Sequence, residues 1–573
     1  MATFIADLKK GSLVEDAPNS LRQIAPYIEV SLRGLSASDE SFCELTFRRG
    51  VDNAIVKKVV PNAMLRNRGE LFCFLANNGF DIPPIAEDEK TLFECLKDMS
   101  NTAPKALFAE KLGWLNPKWM KEMNLGYIYV TPKKVYGNLP KGITVRYVEN
   151  PSTYNQNIDT SGTLQDWIDN IGVYVKCSPI LTLGVCMGLG AITQMPCGIE
   201  NYIVHLFCET SKGKTVIELV VESLFRKALK NTLPSWDITP IGLMDKCSAY
   251  SDAALILDEV TKFNGSAKDL QQMIYRAANG SGKITSFAFA KSVHRVDCTW
   301  NISILSSGEK AITQIIEEAN VKQLKGKEVR CFEINAMRHP KYYSFTSIPK
   351  NFEDSASLAK LLERNTGRFY GTPAKTFLKK FMVNIDDSVS LINKKKRKFF
   401  KEMGLDNGSI KGRIAERFAY MEAIGILAIK YGILPMERER LRSHIRCLCN
   451  EVLEKYKTDA ELVSEGLALL KNALKQEYLV KVAQKGKKFS DAEKMAWGYT
   501  ITRDNNENKH FIAVRKNNFD SLFASRYQAE LVTKKLMQEG VLTHKQIDFV
   551  AFPDKPQFHC LNLIKLRKLK LYK

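Results

Sequence analysis

The sequence predicts a multidomain α/β and α+β chain with a central phosphate-loop nucleotide-binding domain on a parallel sheet. Three observations carry that prediction. The stretch AALILDEV at 253–260 is a short apolar run that ends in two acids, Asp258 and Glu259. Such a run suits a strand buried on both faces of a parallel sheet, and its acidic end falls where open α/β sheets place ligands. About forty residues upstream, CETSKGKT at 208–215 resembles the phosphate-binding pattern G-x-x-x-x-G-K-[ST]. Finally, 573 residues exceed one domain, which usually spans about 100–200 residues.

The local context suits the loop. A strand is expected over Tyr202–Phe207 before it and an amphipathic helix over 216–228 after it. The backbone of Thr210, Ser211, Lys212 and Gly213 would then cradle phosphates at a helix N-terminus, with Gly213 allowing close approach. Lys214 would reach the β/γ-phosphates of ATP, and Thr215 would ligate Mg²⁺. Asp258 would hold Mg²⁺ through water, and Glu259 would orient the attacking water. Cys208 departs from the pattern, standing where a leading Gly is usual.

Composition narrows the partners. Net charge is +21 and the pI about 9.2, which favours a polyanion, DNA above all, through phosphate neutralisation. Thirteen cysteines and seven histidines show no ligand spacing, so reduced thiols in a cytoplasmic protein are expected, without disulfides or zinc. The N-terminus lacks the apolar core of a signal peptide. The apolar stretch 180–195 is too short and Gly-rich for a membrane span and is expected as a core helix.

Taken in order, residues 1–105 read as an α+β domain, with strands over Tyr27–Leu32 and Phe42–Phe47 and helices over 70–78 and 90–99. Residues 106–160 read as a β-rich connector around Gly113–Trp114. The ATPase core is placed at 161–355, opened by a helix capped by Ser161 or Thr163. Within it, 268–278 reads as a helix stopped by NGSG. Residues 283–300 then read as a β-hairpin whose Lys283, Lys291, His294 and Arg295 are candidate DNA contacts. The buried strand 301–305 ends in Ser306 and Ser307, either of which could sense a γ-phosphate. Arg330, just before the strand Cys331–Asn335, suits a finger acting on a neighbouring subunit's ATP. Residues 356–460 read as a helical lid, in which Arg413 or Arg417 could bind a γ-phosphate. The run NKKKRK at 393–398 is read as a solvated face, with DNA contact the lesser reading. Residues 461–573 combine helices with a hairpin around 497–514 and an alternating leucine–lysine end, which suggests a winged-helix-like DNA-binding module.

The phosphate loop, LILDE, AANGSGK, ILSSGE, KGKEVR, NTGRFYGTPAKTFL at 365–378 and RFAYMEAIGILA at 417–428 occur in one order. That order resembles a family of ATPases first labelled only as a domain of unknown function. Within it the chain is most similar to replicative helicases of staphylococcal mobile elements, the Cch-type and Rep-type proteins. The resemblance covers about 1–460 and weakens beyond. It implies an AAA+ fold related to the MCM helicases, a hexameric ring, ATP-driven 3′→5′ unwinding of DNA, and a channel-facing hairpin at about 283–300. The alternative left open by the motifs is an ATP-switched DNA-binding initiator or regulator that assembles on DNA without unwinding it.

Overall fold

The structure is a computed structural model that describes residues 3–7, 12–17, 20–115, 117–149, 159–281, 299–321, 329–406, 408–457, 459–475, 479–482, 490, 496–501, 510–523, 525–543 and 558–572. Two compact units divide the chain, Met1–Val452 and Leu453–Lys573.

The first unit opens with an antiparallel sheet of β1 (Thr3–Asp7), β2 (Ser12–Ala17) and β3 (Ser20–Pro26). A second sheet contains β4 (Ile28–Ser36), β5 (Ser41–Arg48) and β6 (Ile55–Pro61). Helices α1 (Arg68–Asn77) and α2 (Ala86–Thr102) follow, and Leu71, Leu75, Leu92 and Leu96 join the core beneath β4 and β5. β7 (Lys105–Ala109) returns parallel to β4. The connector adds β8 (Gly113–Trp114), β9 (Tyr129–Val130), β10 (Val135–Tyr136) and β11 (Val145–Tyr147). The second sheet then runs β11-β7-β4-β5-β6 and the small one β10-β9-β8.

The core begins at α3 (Leu164–Asn170). Thr163 caps it and Asp166 returns the bond, a closed capping box; Ser161, the other expected cap, bridges to Tyr370 instead. α4 (Pro179–Ala191) is buried at every residue, as the apolar run predicts. β12 (Tyr202–Phe207), α5 (Lys214–Ser223), α6 (Pro240–Ala249), β13 (Ala253–Leu257), α7 (Ala267–Asn279), β14 (Ile302–Gly308), α8 (Ile312–Glu318) and β15 (Cys331–Asn335) follow. The four strands pair in parallel in the order β13-β14-β12-β15. The loop-bearing and acid-tipped strands are therefore separated by one strand. The helices α9 (Ser355–Thr366), α10 (Thr372–Val383), α11 (Ile385–Met403), α12 (Ile410–Lys430) and α13 (Arg438–Glu454) complete the unit.

The second unit has α14 (Asp459–Ala473), β16 (Leu479–Val482), β17 (Gly498–Ile501), β18 (Phe511–Arg515), α15 (Arg526–Gln538), β19 (Leu542–Thr543), β20 (Phe558–Asn562) and α16 (Leu563–Lys568). Its sheet runs β16-β17-β18-β20-β19. The leucine–lysine end is strand only as far as Asn562. Asn562 then caps a helix that buries Leu563 and Leu566. Among the described residues no helix is long and apolar enough to cross a membrane.

Candidate nucleotide site

The loop leaves β12 at Cys208 and turns back through two left-handed residues, Ser211 (φ +63°) and Gly213 (φ +96°). The second turn starts α5 and aims its first backbone N–H groups outward. Lys214 is buried, and its ammonium donates to the Cys208 carbonyl and, at 3.1 Å, to the Glu209 carbonyl. No carboxylate pairs with it among the described residues. A buried ammonium held only by neutral carbonyls is a group that a phosphate oxygen would satisfy better.

Other strand ends converge on the loop. The Cys208 N–H donates to Gly308 at the end of β14 at 3.3 Å, and the Thr210 hydroxyl donates to Glu309. The acids lie beside this point. Asp258 pairs with Lys262 at 2.7 Å. The Ser307 hydroxyl accepts from the Glu259 N–H at 3.1 Å and donates to Asp258 at 3.4 Å. Glu259 itself takes φ +55° and accepts from the Thr261 hydroxyl at 2.9 Å.

Alternation along β14 separates the two sensor candidates. Ser307 faces the acids. Ser306 is turned into the core, where its hydroxyl meets His205 at 2.9 Å and accepts from the Trp236 indole at 2.8 Å. Its partners in the core, rather than burial, set it apart, since Ser307 is buried as well.

Glu218, one turn into α5, was not anticipated. It is fully buried, and neither carboxyl oxygen has a partner at hydrogen-bonding geometry among the described residues. Burial first, then the charge of Asp258, pushes its carboxyl well above the ordinary range. It places a buried carboxyl of the loop helix beside Ser307 and Asp258.

A second unanticipated group covers the loop from the side. After β15 the chain makes a tight turn, in which Arg338 N–H donates to the Tyr343 carbonyl at 2.7 Å and Tyr343 N–H to His339 at 2.8 Å. Tyr343 sits at φ +56°, with the Lys212 ammonium 4.3 Å from its ring centre. The Ser344 hydroxyl donates to the Lys212 carbonyl, and its own carbonyl accepts from Ser178, the cap of α4, at 2.6 Å. Arg338 anchors the turn to α13 through Glu451, at 2.6 and 3.1 Å. Residues 132 positions apart, as Lys212 and Ser344 are, carry no local signal of such a contact.

The arginines fall elsewhere. Arg417 is buried at the other end of the sheet, paired at 2.7 Å with both Glu200, before β12, and Glu416. Arg413 lies a further turn toward the start of α12, and exposed. The start of α12 is thus at the far edge of its own sheet from the loop. Arg330 is also at that far edge. Its carbonyl accepts from Ile203 N–H at 2.7 Å, and its guanidinium lies 5.3 Å from the Tyr275 ring centre. It cannot serve its own loop, a position compatible with service to a neighbour. Lys283, Lys291, His294 and Arg295 lie outside the described residues; Ser281 and Thr299, which flank them, bridge antiparallel.

The oxygens of Thr215 and Asp258 and the buried ammonium of Lys214 suit a magnesium polyphosphate, since Mg²⁺ takes hard oxygen ligands beside substrate phosphates.

A family described as "Domain of unknown function (DUF927)" matches residues 10–288. No curated protein matches the chain. Among solved structures, the apo NrS-1 C-terminal region reaches a TM-score of 0.27 at 9% identity over 70% of this chain and 87% of that one, too low for a shared fold. The structure described as "SCCmec type IV Cch - active helicase" superposes with a TM-score of 0.66 over 99% of this chain and 98% of that one, at 16% identity. The chain thus has the fold of a Cch-type helicase, which bears out the resemblance drawn from the order of its motifs.

Proposed function

We propose that this protein is an ATP-hydrolysing DNA helicase of the AAA+ class, ring-forming and MCM-like, that unwinds DNA for the replication of a mobile genetic element. The observation that carries the reading is the convergence of the loop, Asp258, Glu259 and Ser307 at one edge of the parallel sheet. The Cch-like fold and the charge of +21 support it.

In this reading Lys214 neutralises the β/γ-phosphates, and Thr210, Ser211, Lys212 and Gly213 hold them by backbone N–H groups. Thr215 and Asp258 would hold Mg²⁺, which when bound spreads phosphate charge and fixes its geometry. Glu259 orients the attacking water, and Ser307 keeps it in register with Asp258 and the end of β14. Arg330 completes the site of a neighbouring subunit, which makes hydrolysis depend on assembly. A hexamer and 3′→5′ movement extend the same likeness. Lys283, Lys291, His294 and Arg295 would grip the DNA backbone, and residues 461–573 would act as a winged-helix-like module that recognises origin duplex.

The test is strand displacement from a tailed duplex with ATP, or with a non-hydrolysable analogue. Displacement with ATP alone is expected. DNA binding that responds to either nucleotide, without displacement, would instead make the protein an ATP-switched initiator.

A further inference from the structure

Two helices near the end of the first unit gather cations beyond the nucleotide site. On α11, Lys394, Lys395 and Lys398 lie within about one turn of each other. On α13, Arg438, Arg442 and Arg446 recur every fourth residue and so share a face. The two rows run alongside. Arg446 donates to Glu402 at 2.6 Å and lies 5.3 Å from the Phe399 ring centre. Lys398 pairs with Glu402 at 3.4 Å, and Arg442 with Glu422 at 3.7 Å.

Charge is largely offset at this end, where Glu402 and Glu422 stand among Lys398, Arg442 and Arg446. One turn earlier on both helices it is not. Lys394, Lys395 and Arg438 make no ion pair among the described residues. The Lys395 ammonium is held below its ordinary range by partial burial and then by Arg442, Lys398, Arg438 and Lys394. Glu439 follows Arg438, but lies about 100° round the helix.

Folding gains nothing from packing like charges together; such pairs cost about as much as opposite pairs contribute. A bound polyanion would recover that cost. The face also lacks an apolar anchor, because Ile392, Phe399 and Phe400 of α11 are turned into the core. Protein partners draw most of their affinity from such anchors, whereas a phosphate backbone needs only cations.

We propose that Lys394, Lys395 and Arg438, backed by Lys398 and Arg442, form a DNA-backbone contact surface distinct from residues 283–300 and from the second unit. The proposal shares its DNA partner with the helicase reading but not its chemistry.

The experiment uses the full chain and a random-sequence 30-base-pair duplex, with binding followed by anisotropy at several salt concentrations. The triple variant K394A/K395A/R438A should flatten the log–log salt slope by about 2–3, since each lost duplex phosphate contact removes roughly 0.9. Duplex affinity should fall at least about tenfold. DNA-independent ATP hydrolysis should be unchanged, which shows that the variant is folded, and K394R/K395R/R438K should restore the slope. A triple variant with the wild-type slope overturns the proposal. So does a wild-type chain that prefers polyglutamate to duplex and loses that preference in the triple variant, which would assign the face to an acidic protein. Failure of the wild type to displace strands, with the slope change intact, would sink the helicase reading and leave this surface standing.

Discussion

The two edges of the β13-β14-β12-β15 sheet use similar residue types to opposite ends. At the C-terminal edge polar groups are left under-satisfied or strained. Lys214 rests on loop carbonyls, the Glu218 oxygens lack partners, and Ser211 and Glu259 hold positive φ. At the N-terminal edge more of the polar groups are closed into a joint, although one Asp252 carboxyl oxygen has no partner at hydrogen-bonding geometry among the described residues and Asp252 itself holds φ +58°. Asn201 donates to Trp300 at 3.1 Å and accepts from Ile302 at 2.7 Å. Asp252 accepts from Trp114 N–H at 3.0 Å, and its carbonyl from the Tyr129 hydroxyl at 2.9 Å. Gly113, at φ +91°, leaves no room for a side chain, since a Cβ would lie 2.3 Å from the Asp252 carboxylate. One edge leaves the Lys214 ammonium on loop carbonyls, and the other uses most of its bonding capacity to fasten the connector to the strand that bears the acids.

That contrast can be broken in graded ways. The largest effect belongs to the loop. Lys214→Ala should lower ATP turnover by about 100-fold or more, as removal of a preorganised cationic donor usually does, without shifting the melting temperature downward. Parallel loss of stability would make Lys214 a structural group like those at the far edge.

Asp252 tests the joint. Burial raises its carboxyl from 3.8 to about 7, against the smaller opposing effects of Trp114 N–H, Asn301, Ser251 and Lys111. The folded chain therefore keeps a proton that the unfolded chain has lost, so stability falls as pH rises from about 4 to about 7 and is flat above. A shift of this size sets a ceiling of about 4 kcal/mol. Asp252→Asn keeps an acceptor for Trp114 and tolerates φ +58°. It should flatten that slope and gain about 2 kcal/mol at pH 8, read by denaturant unfolding at pH 5 and 8. An unchanged slope would show that another group sets it.

The smallest effect is expected at the turn beside the loop. Ser344→Ala removes one hydrogen bond to the Lys212 carbonyl, worth about 1 kcal/mol. KM for ATP should rise about fivefold with kcat nearly unchanged, and Ser344→Thr should restore it. Equal losses in both would place Ser344 in the chemistry rather than in loop positioning.

Much of this was legible from local pattern. Tyr202–Phe207 and Cys331–Asn335 are strands to the residue, and the run before Asp258 is buried as its composition requires. Period and composition decide such elements because both faces of the sheet are covered. Period could not decide which end of the sheet a helix approaches. α12 falls within the expected helical segment, yet Arg417 lies at the far edge on Glu200. Nor could it choose between Ser306 and Ser307, whose opposite facings follow from alternation but whose assignment to the core or the acids depends on Trp236 and His205. Glu218 and Ser344 were invisible because the groups they lie beside are distant in sequence.

The central claim is that the C-terminal edge is where ATP is hydrolysed, with Glu259 orienting the water. The most direct measurement compares ATP binding and single-turnover hydrolysis in the wild type and Glu259→Gln. The account predicts ATP affinity within about threefold and hydrolysis below about 1% of wild type, because the charge on Lys214 and Asp258 is untouched while the water loses its carboxylate. Hydrolysis at the wild-type rate in Glu259→Gln would contradict it.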